Sequence, residues 1–230
     1  MSSFDSYQLN QSVLEKIAER GYTEPTPIQK LCFEPILNKQ DVLGIAQTGT
    51  GKTAAFALPI ITNLVKQNTI VKPGHVRCLV LSPTRELADQ VESNIEYYAS
   101  GVDISSKVII GGVSKRLQIE DIKKGVDILV ATPGRFLDIV REGHVNFSQL
   151  ETLVLDEADA MLDLGFFHDV KWIISFIKIK KQTLLFSATM PEEISSLVKK
   201  LLVNPVKVQS SSESTTVKDI DQKLYQLKKA

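Results

Sequence analysis

The chain reads as α/β, an open, mostly parallel sheet with helices on both faces. Three features carry that reading. Short runs rich in Val, Ile and Leu, apolar at successive positions, alternate with stretches of helical spacing, which suits strands covered on both sides. One run leads into the glycine-rich turn Ala46-Gln47-Thr48-Gly49-Thr50-Gly51-Lys52-Thr53. Another, Thr152-Leu153-Val154-Leu155, leads into Asp156-Glu157-Ala158-Asp159. Ligands of such sheets bind outside the carboxyl ends of the strands, so both turns are expected on one rim.

In chain order, helical spacing predicts helices over 11–20 and 28–37, separated by Gly21-Tyr22-Thr23-Glu24-Pro25-Thr26-Pro27. Strands are predicted over 42–46, 77–82, 107–110, 127–131, 152–156 and 182–187. Helices over 52–65, 85–99, 114–123, 134–141, 168–177 and 192–202 alternate with them. Pro191 suits the first turn of the last helix, where its missing N–H costs nothing. The order of elements implies a three-layer sandwich. The polar, serine-rich stretch over 209–216 buries little, so a domain over 1–208 is expected, with 209–230 a linker or tail.

Composition narrows the function classes. The 230 residues carry 27 basic and 27 acidic side chains, so any basic surface must be local. The start lacks a basic-then-apolar signal pattern, and no uninterrupted apolar stretch reaches membrane-spanning length, so a cytoplasmic protein without a membrane partner is expected. Cys32 and Cys78 lie among apolar neighbours and read as buried free thiols. His75, His144 and His168 lack metal-ligand spacing, which argues against zinc. Phe166, Phe167 and Trp172 read as helix-face core residues. Lys178, Lys180, Lys181, Lys199 and Lys200 read as solvated faces or loop ends.

The two turns carry complementary chemistry. Gly49 and Gly51 allow backbone N–H groups to turn toward phosphate oxygens at the start of a helix. Lys52 can neutralise terminal phosphates, and the Thr53 hydroxyl can ligate Mg²⁺. The strict phosphate-loop pattern begins with Gly, whereas this chain has Ala46; a plain strand-to-helix turn is the alternative. Asp156 can hold Mg²⁺ through water, and Glu157 can orient or deprotonate an attacking water. Helix capping is the competing explanation for that acidic pair.

In these motifs and their order the chain resembles the DEAD-box ATP-dependent RNA helicases, specifically the first of their two RecA-like domains, from Phe4 to about Leu227. The turn over 46–53 matches the family's own form of the phosphate loop, Ala46 included. Gly21 to Gln29 is similar to the adenine-reading Q motif, whose region covers 1–39. The resemblance implies that Phe4, Tyr22 and Gln29, together with Gln47, Thr48, Gly49, Thr50, Gly51, Lys52 and Thr53, bind ATP. It implies catalytic roles for Lys52, Asp156 and Glu157, and Mg²⁺ held by Thr53 and Asp156. RNA contacts through the sugar-phosphate backbone are implied for Pro83, Thr84, Arg85, Gly111, Gly112, Thr132, Pro133, Gly134 and Arg135. Asp159 with Ser187, Ala188 and Thr189 would couple nucleotide state to strand separation. A second RecA-like domain supplies the family's transition-state arginines from a His-Arg-x-Gly-Arg motif, and no His-Arg pair occurs here. The chain alone is therefore expected to bind nucleotide and to turn over ATP poorly. A nucleotide-dependent RNA clamp, or a DNA translocase built on the same motifs, are the other readings.

Overall fold

The computed structural model describes residues 3–209. A 3₁₀ turn, Phe4–Ser6, leads into α1 (Gln11–Glu19) and α2 (Pro27–Leu37). The alternation follows: β1 (Val42–Ile45), α3 (Lys52–Gln67), β2 (Val76–Leu81), α4 (Arg85–Ala99), β3 (Ser106–Ile109), α5 (Lys115–Lys124), β4 (Val126–Ala131) and α6 (Pro133–Arg141). The remainder is β5 (Thr152–Leu155), α7 (Ala158–Asp163), α8 (Phe167–Phe176), β6 (Gln182–Ser187), α9 (Glu192–Leu201) and β7 (Val206–Gln209).

Among the described residues the strands form one seven-stranded sheet in the order β3-β4-β2-β5-β6-β1-β7, and every pairing is parallel. The expected sheet was mostly parallel; the described one is wholly so. Alternate residues serve opposite faces, as the two-residue strand period requires. Cys78 and Val80 join the core under α1 to α4, whereas Leu79 and Leu81 join the core under α5 to α9.

Local signals set most helix ends. Pro27 and Pro133 occupy first-turn positions of α2 and α6, and the Thr84 hydroxyl accepts from the N–H of Leu87 at 3.2 Å to cap α4. In α9, Glu192 and Glu193 sit in the first turn and Lys199 and Lys200 in the last, each sign matched to the helix dipole. Pro191 is the N-cap of α9 rather than a residue of its first turn.

Several expectations need correction. α7 is not among the predicted helices, because six residues are too few to show a period. β7 was missed as well, and Gln209, expected to open the linker, is its last residue. The rest of that expected linker, 210–230, lies outside the described residues. Trp172 is not core: it is 54% exposed, with the Arg141 guanidinium carbon 5.6 Å from its ring centroid. Phe166 and Phe167 do pack on the core. Lys181 is partly buried, and burial lowers its pKa. Cys32 and Cys78 are free and buried; burial raises both thiols, that of Cys32 to about 12, which makes them inert. Among the described residues no helix is long and apolar enough to cross a membrane.

Candidate active site

The glycine turn leaves β1 and closes on the start of α3. Gly49 and Gly51 both take left-handed backbone, with φ of +83° and +89°. An added Cβ at Gly51 would lie 2.7 Å from Gln29 Nε2 and 3.2 Å from Thr26 Oγ1, so a side chain there would strain the backbone and push the Gln29 amide aside. The Thr50 hydroxyl donates to the Gln47 carbonyl at 2.8 Å and holds the turn in shape. The result places Lys52, 6% exposed, in the first turn of α3.

The acidic turn leaves β5. Strand β6 separates β5 from β1, yet the two turns meet across its end. Glu157 Oε1 accepts from the Thr48 hydroxyl at 2.8 Å and from Lys52 Nζ at 3.4 Å. Glu157 itself has a φ of +53°, an uncommon and costly conformation for a non-glycine residue. Asp156 is 5% exposed, and its Oδ1 has no hydrogen-bond partner. Burial pushes its carboxyl up to about 6; Lys52 opposes the rise and Glu157 adds to it.

Thr26 Oγ1 and Ser82 Oγ share that orphaned state, the three forming the set of unpartnered buried side-chain atoms among the described residues. All three lie on the carboxyl rim. Leu81 and Leu155 are register partners, so Ser82 and Asp156 follow them side by side.

The end of β6 is tied to the acidic turn. Asp159 Oδ2 accepts from the Thr189 N–H at 2.8 Å and from its hydroxyl at 2.9 Å, while the Asp159 N–H donates to Ser187 Oγ at 3.3 Å. Burial works against ionisation of Asp159, but the hydrogen bonds from Thr189, Ser187 and the Ala188 backbone outweigh it and hold the carboxyl below its ordinary range.

A cleft of about 470 Å³ opens above Lys52, Asp156 and Glu157 and runs to Tyr22 and Gln29. The Gln29 amide is already engaged: Oε1 accepts from the Thr26 N–H at 2.9 Å, and Nε2 donates to the Gly51 carbonyl at 3.2 Å. One N–H and one lone pair remain free. Phe4 borders the cleft but is 6% exposed, with its ring 6.2 Å from that of Phe33, so packing is its main contact. Sequence reasoning missed the wall opposite. Arg20, just past α1, stacks on Tyr97 and Tyr98 of α4 and donates to the Tyr98 hydroxyl at 3.2 Å. No local pattern could reveal a contact spanning 78 residues.

The other half of the rim, at the ends of β2, β3 and β4, carries the remaining candidates. Pro83 and Thr84 lead into Arg85, whose guanidinium lies over Gly112; an added Cβ there would collide with Arg85 Nη1. Gly112 also has a φ of +79°. Gly111 precedes it in the turn after β3. Thr132 is the buried N-cap of α6, followed by Pro133 and Gly134. Arg135 donates to the Val113 carbonyl at 3.0 Å and to Gln118 Oε1 at 2.9 Å. Among the described residues neither Arg85 nor Arg135 pairs with a carboxylate.

A glycine turn delivering a buried lysine to two acids on the rim of a parallel sheet defines an α/β domain of the RecA-like, phosphate-loop kind. Comparison with known proteins narrows this further. The family model for the DEAD/DEAH box helicase matches residues 26–197. The DEAD-box ATP-dependent RNA helicase RhpA of Helicobacter pylori is 43% identical over 223 residues, covering 97% of this chain and 44% of that protein. DEAD-box ATP-dependent RNA helicase 20 of Arabidopsis thaliana is 42% identical over 90% of this chain and 42% of its own length. The crystal structure of a DEAD box protein from the hyperthermophile Methanococcus jannaschii superposes with a TM-score of 0.83 at 38% identity, over 90% of this chain and 55% of that one. The chain belongs to the DEAD/DEAH box helicase family. It spans less than half the length of the two relatives named.

Proposed function

We propose that the chain is the nucleotide- and RNA-binding first domain of an ATP-dependent RNA helicase. The observation that carries this reading is the meeting of Lys52, Asp156 and Glu157 in one cleft, with Asp156 Oδ1 buried and unpartnered. An orphaned buried oxygen costs about 1–3 kcal/mol unless a ligand satisfies it. A carboxylate oxygen is the donor type that Mg²⁺ takes, so the residues fit that ion, held by Asp156 and Thr53. Bound Mg²⁺ would neutralise charge on the phosphate oxygens.

The protein groups have separable tasks. Backbone N–H groups from Gln47 to Gly51 and the start of α3 receive phosphate, and Lys52 neutralises its terminal charge. Glu157 orients the attacking water. The free N–H and lone pair of Gln29 suffice for the N6 and N7 edge of adenine. Tyr22 borders the same end of the cleft, and Phe4 lines the cleft while its ring packs on Phe33. Arg85 and Arg135, with the turn glycines, receive an RNA sugar-phosphate backbone, which carries no base information. The Asp159–Ser187–Thr189 ties couple the nucleotide state to strand separation.

The relatives are named RNA helicases and are about twice as long, which supports a second RecA-like domain that completes the site. A transition-state arginine is worth about 10³–10⁵ in rate, so the lone chain binds nucleotide and barely hydrolyses it. The test is an ADP–Mg²⁺ titration and soaked crystal of this chain, then RNA- and DNA-stimulated turnover with a second domain attached. Adenine at Gln29, phosphates at Lys52 and stimulation by RNA are expected. RNA-stimulated turnover by the lone chain near that of the two-domain form would overturn the division of labour, and duplex displacement separates a helicase from a clamp.

A further inference from the structure

Glu157 can orient a water only if its own carboxylate is held, and the residues that hold it come from the opposite turn. We propose that Thr48 is the positioning residue for Glu157: its hydroxyl donates to Glu157 Oε1 at 2.8 Å and persists as the tie between the two turns once Lys52 serves the phosphates. The inference rests on the proposed function and assigns within it the group that aims the glutamate.

The two donors to Oε1 are unequal. Lys52 Nζ stands at 3.4 Å, outside ordinary hydrogen-bond length, and phosphate oxygens present far more negative charge to it than one carboxylate does. Lys52 therefore changes partner when nucleotide binds. Thr48 Oγ1 is neutral and at full hydrogen-bond distance, so it has no such reason to leave. Oε2 accepts no hydrogen bond among the described residues, which leaves it for water.

The backbone supports the same assignment. Glu157 sits in the turn two residues past β5 with a φ of +53°, so its side chain leaves the turn in a direction few residues adopt. A strained conformation persists where surrounding contacts over-determine it, and Thr48 is the short contact that does so here. The neighbouring hydroxyl makes the contrast. Thr50 bonds within its own turn, to the Gln47 carbonyl three residues back, while Thr48 reaches across 109 residues of chain.

The experiment compares Thr48→Val, which removes the hydroxyl at nearly constant shape, with Thr48→Ser, which keeps it. In crystals of the nucleotide-free chain, the Glu157 carboxylate is expected to leave its present place in Thr48→Val and to stay in Thr48→Ser. Both variants keep the Thr48 backbone N–H that receives phosphate, so ADP–Mg²⁺ affinity of the chain is expected to change less than about threefold in either. With the second domain attached, Thr48→Val should lower kcat roughly tenfold with KM for ATP little changed, Thr48→Ser should restore it, and Thr48→Val should have no effect in a Glu157→Ala background. An unmoved carboxylate, a loss of ADP binding comparable to that of Lys52→Ala, or a kcat loss that survives in the Glu157→Ala background each overturns the proposal. Unchanged ADP binding in Lys52→Ala would instead overturn the nucleotide site on which it rests.

Discussion

Arg77 and Lys52 are both buried cations, at opposite ends of the sheet, and their surroundings could hardly differ more. Arg77, at the amino end of β2, is 1% exposed, and each of its guanidinium nitrogens has a partner. Nε meets Glu151 at 3.0 Å, Nη1 meets Asp127 at 3.0 Å, and Nη2 meets the Leu64 carbonyl and Gln67 Oε1, both at 3.1 Å. Asp127 in turn accepts from the Ser105 N–H and hydroxyl. At the carboxyl end, Lys52 has one long contact to Glu157, and Asp156 has a bare oxygen. A closed network of charge spans helix and strand and asks for nothing more. An open one is held at a cost that a ligand can remove. Burial of charge therefore does not mark a site in this domain; incomplete pairing does.

Removing Arg77 should break the closed end most severely. Arg77→Ala leaves Asp127 buried without its counter-charge, a loss of about 3–5 kcal/mol, read as a fall in denaturant midpoint. Lys52→Ala should do the reverse, with melting within about 1 kcal/mol of wild type but ADP–Mg²⁺ affinity down roughly a hundredfold by titration.

Asp156 gives the comparison a pH signature. Its folded pKa of about 6 stands above the ordinary 3.8, so the folded state holds this proton more tightly than the unfolded chain does. The ionised carboxylate therefore destabilises the free domain fully above pH 6, less as pH falls through 6, and not at all once pH is below the unfolded value. Asp156→Asn should raise stability by about 2 kcal/mol at pH 7.5, with the gain fading toward pH 4, while magnesium-dependent nucleotide binding is lost. A gain independent of pH would show that packing, not charge, is responsible. The smallest effect is expected on the other half of the rim. Gly112→Ala should displace Arg85 and weaken RNA binding several-fold, leaving ADP affinity unchanged in the same titration.

Much of this molecule was legible in its sequence, for definite reasons. Strands such as Gln182–Ser187 and helices such as Arg85–Ala99 were placed to the residue, because the apolar run Leu184-Leu185-Phe186 and the helical spacing over 85–99 are local signals. α7 and β7, six and four residues long, were not, since neither is long enough to show a period and both owe their form to neighbours already in place. Trp172 misled because helical spacing says which residues share a face, not which face the protein covers. Arg77 passed unremarked as the first residue of a predicted strand, since its partners Asp127 and Glu151 lie 50 and 74 residues away.

Backbone chemistry and short-range pattern were enough to specify the parallel sandwich, the glycine turn and the acidic turn, because each depends on residues within a few positions of one another. The pairing of Thr48 with Glu157, the orphaning of Asp156 and the Arg20 wall on α4 depend on strand order, and strand order is decided only when the two hydrophobic layers close on the sheet. Electrostatic character, unlike secondary structure, belongs to the environment a side chain enters, and that environment is made by the rest of the chain.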